Sequence, residues 1–157
     1  MSKKIYFDLD GTIYDLYGIE NWLEKLQTEK ENVFLEGKFL VNYNDFMDCI
    51  RFLLECGYTF GVITWLPMQA SPEYEEQCRK EKLEWVREYL PFVSEINITS
   101  YGMPKQNCIQ KRAKTMILID DNIEVCKMWN TPTQRNSINV NEEFTVIDAL
   151  NAIIETE

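Results

Sequence analysis

Short apolar segments that look like strands alternate along this chain with segments whose apolar residues recur at helical spacing. Four are predicted as buried strands and a fifth as a short edge strand: residues 5–7 (IYF), 58–64 (YTFGVIT), 95–99 (EINIT), 115–120 (TMILID) and 137–140 (SINV). Strands that alternate with helices are joined by right-handed crossovers, which build a parallel sheet covered on both faces. We therefore predict an α/β protein with a Rossmann-like, three-layer α/β/α arrangement and a mainly parallel sheet of about five strands.

Amphipathic helices are predicted between these strands. One covers residues 19–30, and another begins at Asp45 and stops at a glycine. A long helix follows Ser71, which precedes a proline and is a good N-cap residue, and a last helix begins near Thr145. The segment 31–44 has only a weak pattern and is not assigned.

Composition excludes several classes of function. The chain of 157 residues has no histidine, which excludes Ser-His-Asp and Cys-His catalysis and leaves acid–base chemistry to Asp, Glu, Lys or Tyr. Its five cysteines form no CxxC pair and are predicted to be reduced core residues. The net charge of −10 opposes binding to nucleic acid backbones. No apolar run approaches the roughly 20 residues that span a bilayer, so we expect a cytoplasmic protein with no membrane partner.

Polar side chains follow the predicted strands where these strands end. Six are expected to meet at the rim formed by the carboxyl ends of the strands: Asp8, Asp10, Thr64, Lys105, Asp120 and Asp121. Carboxylates from two adjacent strand ends can hold Mg²⁺, a hard ion that prefers oxygen ligands. A hydroxyl and an ammonium group on the flanking strands could hold a phosphate beside the metal. The pattern therefore predicts a metal-assisted phosphate site.

Each of these residues, taken alone, also has an ordinary structural interpretation. Asp10 begins an Asp-Gly turn, which is common without any function. Thr64 alone fits a threonine at a strand end, and Lys105 alone fits a solvated lysine at a helix start. Asp120 and Asp121 could cap the helix that follows them. Their joint placement at one rim is what favours a site.

Four motifs extend this interpretation to a family. DLDGT at 8–12, Thr64 after GVI, Lys105, and IDDN at 119–122 resemble, in order and spacing, the four signature motifs of the haloacid dehalogenase (HAD) superfamily of phosphohydrolases. They extend from the first predicted strand to the fourth. The resemblance implies a single HAD-like hydrolase domain over residues 1–157, with Mg²⁺ as its cofactor.

The resemblance also implies roles for the acidic residues. Asp8 matches the nucleophile, which forms an aspartyl-phosphate and also binds Mg²⁺. Asp10 matches the general acid and base, and gives its backbone carbonyl to the metal. The acidic pair matches the fourth motif, and we expect Asp121 to bind Mg²⁺ directly with Asp120 beside it.

Phosphate binding and the substrate follow from the same resemblance. Thr64 and Lys105 match the pair that holds the transferring phosphoryl group, and Thr12 of DLDGT is expected to help bind it. KLEWVREYLP at 82–91 is similar to a segment of the 5′(3′)-deoxyribonucleotidase group. The implied reaction is hydrolysis of a small phosphorylated metabolite, with (deoxy)nucleoside monophosphates as the favoured class.

The spacing of the motifs bears on the cap, the element that selects substrates in this superfamily. Residues 13–63 and 65–104 leave little room for a cap domain, so we expect a capless or minimally capped member without a formed base pocket. Two alternatives stay open: a phosphatase acting on a macromolecule, such as a polynucleotide end or a phosphoprotein, and a non-catalytic domain that binds Mg²⁺ or phosphate. The sequence leaves the oligomeric state open.

Overall fold

A five-stranded parallel sheet forms the centre of the computed structural model, which describes residues 2–157. The strands are β1 Lys3–Phe7, β2 Tyr58–Trp65, β3 Glu95–Thr99, β4 Thr115–Asp120 and β5 Arg135–Asn139. Their order is β3-β2-β1-β4-β5, and every neighbouring pair is parallel. The predicted fold class is therefore confirmed, with strand bounds within a few residues of those expected.

Helices cover both faces of this sheet. They are α1 Trp22–Gln27, α2 Val33–Glu36, α3 Tyr43–Glu55, α4 Pro72–Tyr89, α5 Ile123–Trp129 and α6 Val146–Ile154. Apolar residues of α3, α4 and α6 form the larger core on one face, and α5 closes a smaller core on the other. No helix within residues 2–157 has the length and apolar character needed to cross a membrane.

Alternation along β1 explains how one short strand supports both cores. Phe7 points into the larger core, where its ring lies 5.9 Å from that of Phe60. Tyr6 points to the opposite face, where its ring meets Trp129 edge-on at 5.6 Å. Because β1 is central and buried on both faces, Asp8 begins where the apolar sequence ends, at the rim of the sheet.

The predicted helix over residues 19–30 is too long. Only α1 is helical there, and two residues with positive φ, Asn21 at 57° and Glu29 at 56°, lie on either side of it within the segment. Helical spacing alone did not reveal these left-handed positions, which break a helix. The unassigned segment 31–44 contains α2 and the start of α3. Residues 13–42 thus form a segment with two short helices, at the place where a minimal cap was expected, and it is called the cap segment below.

Lys105 lies at the start of a helical turn, but this turn is not an α-helix. Lys105–Cys108 is a single 3₁₀ turn rather than an α-helix. Glu95 holds the following part of this connection, because its carboxylate accepts the backbone N–H groups of Gln110 and Lys111 at 3.2 and 3.1 Å. The connection that carries Lys105 is therefore held in place by hydrogen bonds to Glu95 and not by the backbone hydrogen bonds of an α-helix.

Candidate active site

A tight turn after β1 places the first two acidic residues. The carbonyl of Leu9 accepts the backbone N–H groups of residues 12–14 at 2.9 to 3.0 Å. Gly11 lies in this turn with φ of +80°, a conformation that residues with a Cβ rarely adopt. The chain therefore reverses just after Asp8, and Asp10 lies in the turn itself, lining the same cleft as Asp8.

Three carboxylates meet where β1 and β4 end side by side. Because Phe7 pairs with Ile119, Asp8 lies next to Asp120. Asp8, Asp120 and Asp121 each offer an oxygen, and these oxygens all lie within 4.8 Å of one another. Asp8 and Asp120 are buried, whereas Asp121 is half-buried. This set of hard oxygen donors has the chemistry that Mg²⁺ prefers, and so it fits the predicted metal.

Lys105 bridges two of these carboxylates from beneath the cleft. Its Nζ donates to Oδ1 of Asp8 at 2.8 Å and to Oδ2 of Asp120 at 2.7 Å. Burial lowers the pKa of Lys105, but Asp8 and Asp120 raise it by more, so the pKa ends above its ordinary value and Lys105 is a cation. An ammonium group has three N–H donors, so one remains for a substrate oxygen.

The acidic cluster carries more negative charge than Lys105 neutralises. Burial, followed by the charge of Asp8, raises the pKa of Asp120 in spite of the ion pair with Lys105. Burial, followed by the charges of Asp8 and Asp120, also raises the pKa of Asp121. Carboxylates that share a site resist simultaneous ionisation, and a bound cation removes this repulsion. The electrostatics thus favour a cation at the position that the donor set defines.

Asp10 pairs with a different lysine, which the sequence did not identify as a site residue. Lys82 extends from α4, and its Nζ donates to Oδ2 of Asp10 and Oγ1 of Thr64 at 2.8 Å and to the carbonyl of Trp65 at 2.7 Å. Lys82 is only 1% exposed. One signal could have revealed it, because Lys82 lies four residues after Cys78 on the buried face of the helix, where a lysine needs a partner.

The two threonines predicted to bind phosphate are both in the site and both buried. Thr12 donates its hydroxyl to Oδ2 of Asp8 at 3.1 Å, so it holds the predicted nucleophile. Thr64 accepts from Lys82, which leaves its own hydroxyl proton free to turn toward another acceptor. The structure brings together all seven predicted residues, while the contact of either hydroxyl with a phosphate stays a prediction.

An open cleft of about 610 Å³ lies above the carboxylates. Its walls come from the cap segment, from the loop after β2 and from Tyr101. Two aromatic pairs flank it: Tyr17 with Trp22, whose ring centroids are 4.8 Å apart, and Trp65 with Tyr101, at 5.1 Å. The cleft therefore combines an acidic floor with aromatic walls. Sequence reasoning did not anticipate the wall from the cap segment.

Helix α4 also fixes the cap segment over this cleft. Glu81, which is 2% exposed, accepts the backbone N–H of Asn32 at 3.0 Å and that of Phe34 at 3.1 Å. Gln77 donates to the same carboxylate at 2.8 Å. Two adjacent residues of α4 thus serve different parts of the site, because Glu81 holds the cap segment and Lys82 holds Asp10.

Comparison with known proteins gives a similarity of fold. No protein-family model matches the sequence, and no curated protein matches it. The structure is similar to the crystal structure of D,D-heptose 1,7-bisphosphate phosphatase from Burkholderia thailandensis, with a TM-score of 0.54 and 10% sequence identity, over 98% of this chain and 99% of that one. At this identity the likeness concerns the fold alone, and the chain shares its α/β fold with a phosphatase.

Proposed function

We propose that this protein is a Mg²⁺-dependent phosphomonoester hydrolase that acts through an aspartyl-phosphate at Asp8. One observation carries the proposal: at the floor of an open cleft, Lys105 bridges Asp8 and Asp120 while Asp121 completes a cluster of oxygen donors. The fold shared with a phosphatase and the four HAD-like motifs support it.

The residues divide the reaction into two steps. In the first, a carboxylate oxygen of Asp8 bonds to phosphorus while the bond to the leaving oxygen breaks, and Asp10 gives that oxygen a proton. In the second, water attacks the phosphorus, Asp10 takes a proton from the water, and Asp8 is released with inorganic phosphate. Lys105 supplies positive charge beside the attacking carboxylate throughout.

The metal fits beside these groups. Asp8, Asp121 and the backbone carbonyl of Asp10 would hold Mg²⁺, with Asp120 next to them. Bound there, Mg²⁺ supplies positive charge that offsets the repulsion between a phosphate and the carboxylates. The match to the fourth motif favours Asp121 for direct binding, with Asp120, which accepts from Lys105 and from the backbone of Asn122, beside it.

Among small phosphomonoesters, we propose (deoxy)nucleoside monophosphates as the favoured substrates. The aromatic pairs Tyr17–Trp22 and Trp65–Tyr101 offer planar surfaces on which a base can stack, and such stacking stabilises a bound base by about 1–3 kcal/mol. The net charge of −10 disfavours long polyanions. The similarity of residues 82–91 to the deoxyribonucleotidase group also supports mononucleotides as substrates.

The test compares turnover of wild type and variants in a screen of phosphate esters with Mg²⁺. Asp8→Asn is nearly isosteric and should keep the fold while reducing turnover below detection, whereas Asp48→Asn, on the exposed side of α3, should match wild type. Beryllium fluoride should bind at Asp8 in wild type as a mimic of the acyl-phosphate. Near wild-type turnover by Asp8→Asn would overturn the mechanism, and turnover that survives exhaustive EDTA treatment would overturn the metal requirement.

The same screen tests the substrate class. It should compare kcat/KM for deoxynucleoside monophosphates, sugar phosphates and a 5′- or 3′-phosphorylated oligonucleotide at fixed salt. We expect the mononucleotides to rank first. A preference of about a hundredfold for the oligonucleotide, about 2.7 kcal/mol in transition-state binding, would replace this assignment with a macromolecular substrate.

A further inference from the structure

Lys82 is a buried cation whose hydrogen-bonding capacity is fully used inside the protein. Its ammonium group has three N–H donors, and they go to the side chains of Asp10 and Thr64 and to the carbonyl of Trp65. The ring of Phe34 covers it at 4.5 Å. Lys82 therefore has no N–H left for a substrate phosphate, in contrast to Lys105, which spends only two donors on carboxylates.

Stability alone does not explain a lysine at this position. Moving an ammonium group out of water costs several kcal/mol, and an apolar residue of similar volume is often at least as stable. The neighbouring buried positions of α4 hold Cys78, Trp85 and Val86, among which a methionine or leucine would pack. The partners of the lysine, and not its burial, are what set this position apart.

Those partners connect the ends of two neighbouring strands. Asp10 follows β1, whereas Thr64 and Trp65 end β2, so Lys82 fixes the Asp10 carboxylate relative to β2. Only Oδ2 of Asp10 is held in this way. Its Oδ1 is buried and has no hydrogen-bond partner within residues 2–157. Asp10 nevertheless lines the cleft with a side chain that is 21% exposed, so the carboxylate that Lys82 holds borders the space where a substrate would lie.

We propose that Lys82 is a positioning residue for Asp10: by holding Oδ2, it fixes the carboxylate at the cleft, within reach of the leaving oxygen of a bound phosphomonoester. The inference rests on the proposed function, because it takes Asp10 as the group that exchanges a proton with that oxygen. Lys82 acts through the carboxylate and does not touch the substrate.

The test uses two aryl esters that differ in their need for a proton. Phenyl phosphate releases a basic oxygen, whereas 2,4-dinitrophenyl phosphate releases a stable anion that leaves unprotonated. Lys82→Met is uncharged and of similar volume. Since general acid catalysis contributes about 10²- to 10⁴-fold, we expect kcat/KM for phenyl phosphate to fall on the order of 100-fold and that for the dinitrophenyl ester by less than about tenfold.

A matched control separates positioning from stability. Lys4→Met breaks another buried ion pair, in which Lys4 contacts Glu95 at 2.6 Å and is 3% exposed. It should lower the free energy of unfolding to a similar degree, yet leave the ratio of kcat/KM for the two esters at its wild-type value. Unfolding in denaturant gives the stability of both variants.

A double-mutant cycle covers the case in which Lys82→Met does not fold. D10N/K82M removes both charges of the pair, and its kcat/KM for the dinitrophenyl ester should lie within about threefold of that of D10N alone. Equal losses for the two esters in Lys82→Met, or a further tenfold loss in the D10N background, would overturn the positioning role. The proposed function would survive either result, since only turnover by Asp8→Asn contradicts the nucleophile.

Discussion

Gly11 is the position at which the turn after β1 leaves no room for a side chain. A Cβ built there would lie 2.2 Å from Oδ2 of Asp121 and 2.6 Å from Cε2 of Tyr17. Optimal non-bonded separations are about 3.5 Å, so Gly11→Ala must move both groups, each by roughly 1 Å. Because Asp121 belongs to the candidate metal cluster and Tyr17 to the wall of the cleft, either movement disturbs the site.

A second glycine separates this effect from backbone strain. Gly57 also has a positive φ, +90°, but a Cβ there would meet nothing within 4 Å. Both alanine variants should therefore lose about 1–2 kcal/mol from the left-handed conformation. Gly11→Ala should in addition lose about 100-fold in kcat/KM, because a misplacement of about 1 Å near reacting groups can cost that much.

The assay measures the free energy of unfolding of both variants in denaturant, kcat/KM with saturating Mg²⁺, and the Mg²⁺ concentration that gives half-maximal activity. We expect Gly57→Ala to match wild type in both activity measurements. Gly11→Ala should have a lower kcat/KM and should need a higher Mg²⁺ concentration for half-maximal activity. Equal activity of the two variants would show that the close approach of Gly11 and Asp121 has no part in forming the site.

Three further predictions concern the metal and the cleft. Mg²⁺ at 100 times its Kd should stabilise the wild type by about 2.7 kcal/mol, and Asp121→Ala should weaken this effect more than Asp120→Ala, as read from thermal unfolding with and without the ion. Glu81→Gln places an N–H against a backbone N–H of the cap segment, so KM should rise about tenfold with kcat little changed, whereas the exposed Glu84→Gln should match wild type. Trp22→Ala should raise KM for mononucleotides about tenfold and leave that for a small sugar phosphate unchanged, as steady-state kinetics would show.

The sheet and its acidic rim could be predicted because both follow from local patterns. Buried strands of a parallel sheet consist of unbroken apolar runs, and the first charged residue after such a run marks the rim. Asp8 and Asp120 end two runs in this way, and the adjacency of β1 and β4 then brings them together. For Asp8 and Asp120, the local sequence pattern and the tertiary structure therefore place the carboxylate at the same position, the rim of the sheet.

The cap segment could not be predicted because tertiary contacts override its helical spacing. Glu29 has a positive φ, and its carboxylate accepts from the backbone and the hydroxyl of Ser71, which lies 42 residues further on. Tyr14 similarly donates to the carbonyl of Val33 at 2.6 Å. Contacts between residues this distant in sequence leave no periodic signal, and so the part of the cleft wall that comes from the cap segment could not be predicted.

Charge balance at the rim connects the metal, the substrate and the lysine that the motifs did not reveal. Four carboxylates converge there, those of Asp8, Asp10, Asp120 and Asp121, and two ammonium groups, of Lys82 and Lys105, contact them. When all are ionised, two negative charges remain, which is the charge that one divalent cation neutralises. Without that cation, a dianionic phosphate would approach a net negative floor, since Lys82 is already committed to Asp10. We therefore expect the binding of a metal and of a phosphate to be coupled through these charges, with Lys105, which has one N–H donor left, as the lysine that contacts the phosphate.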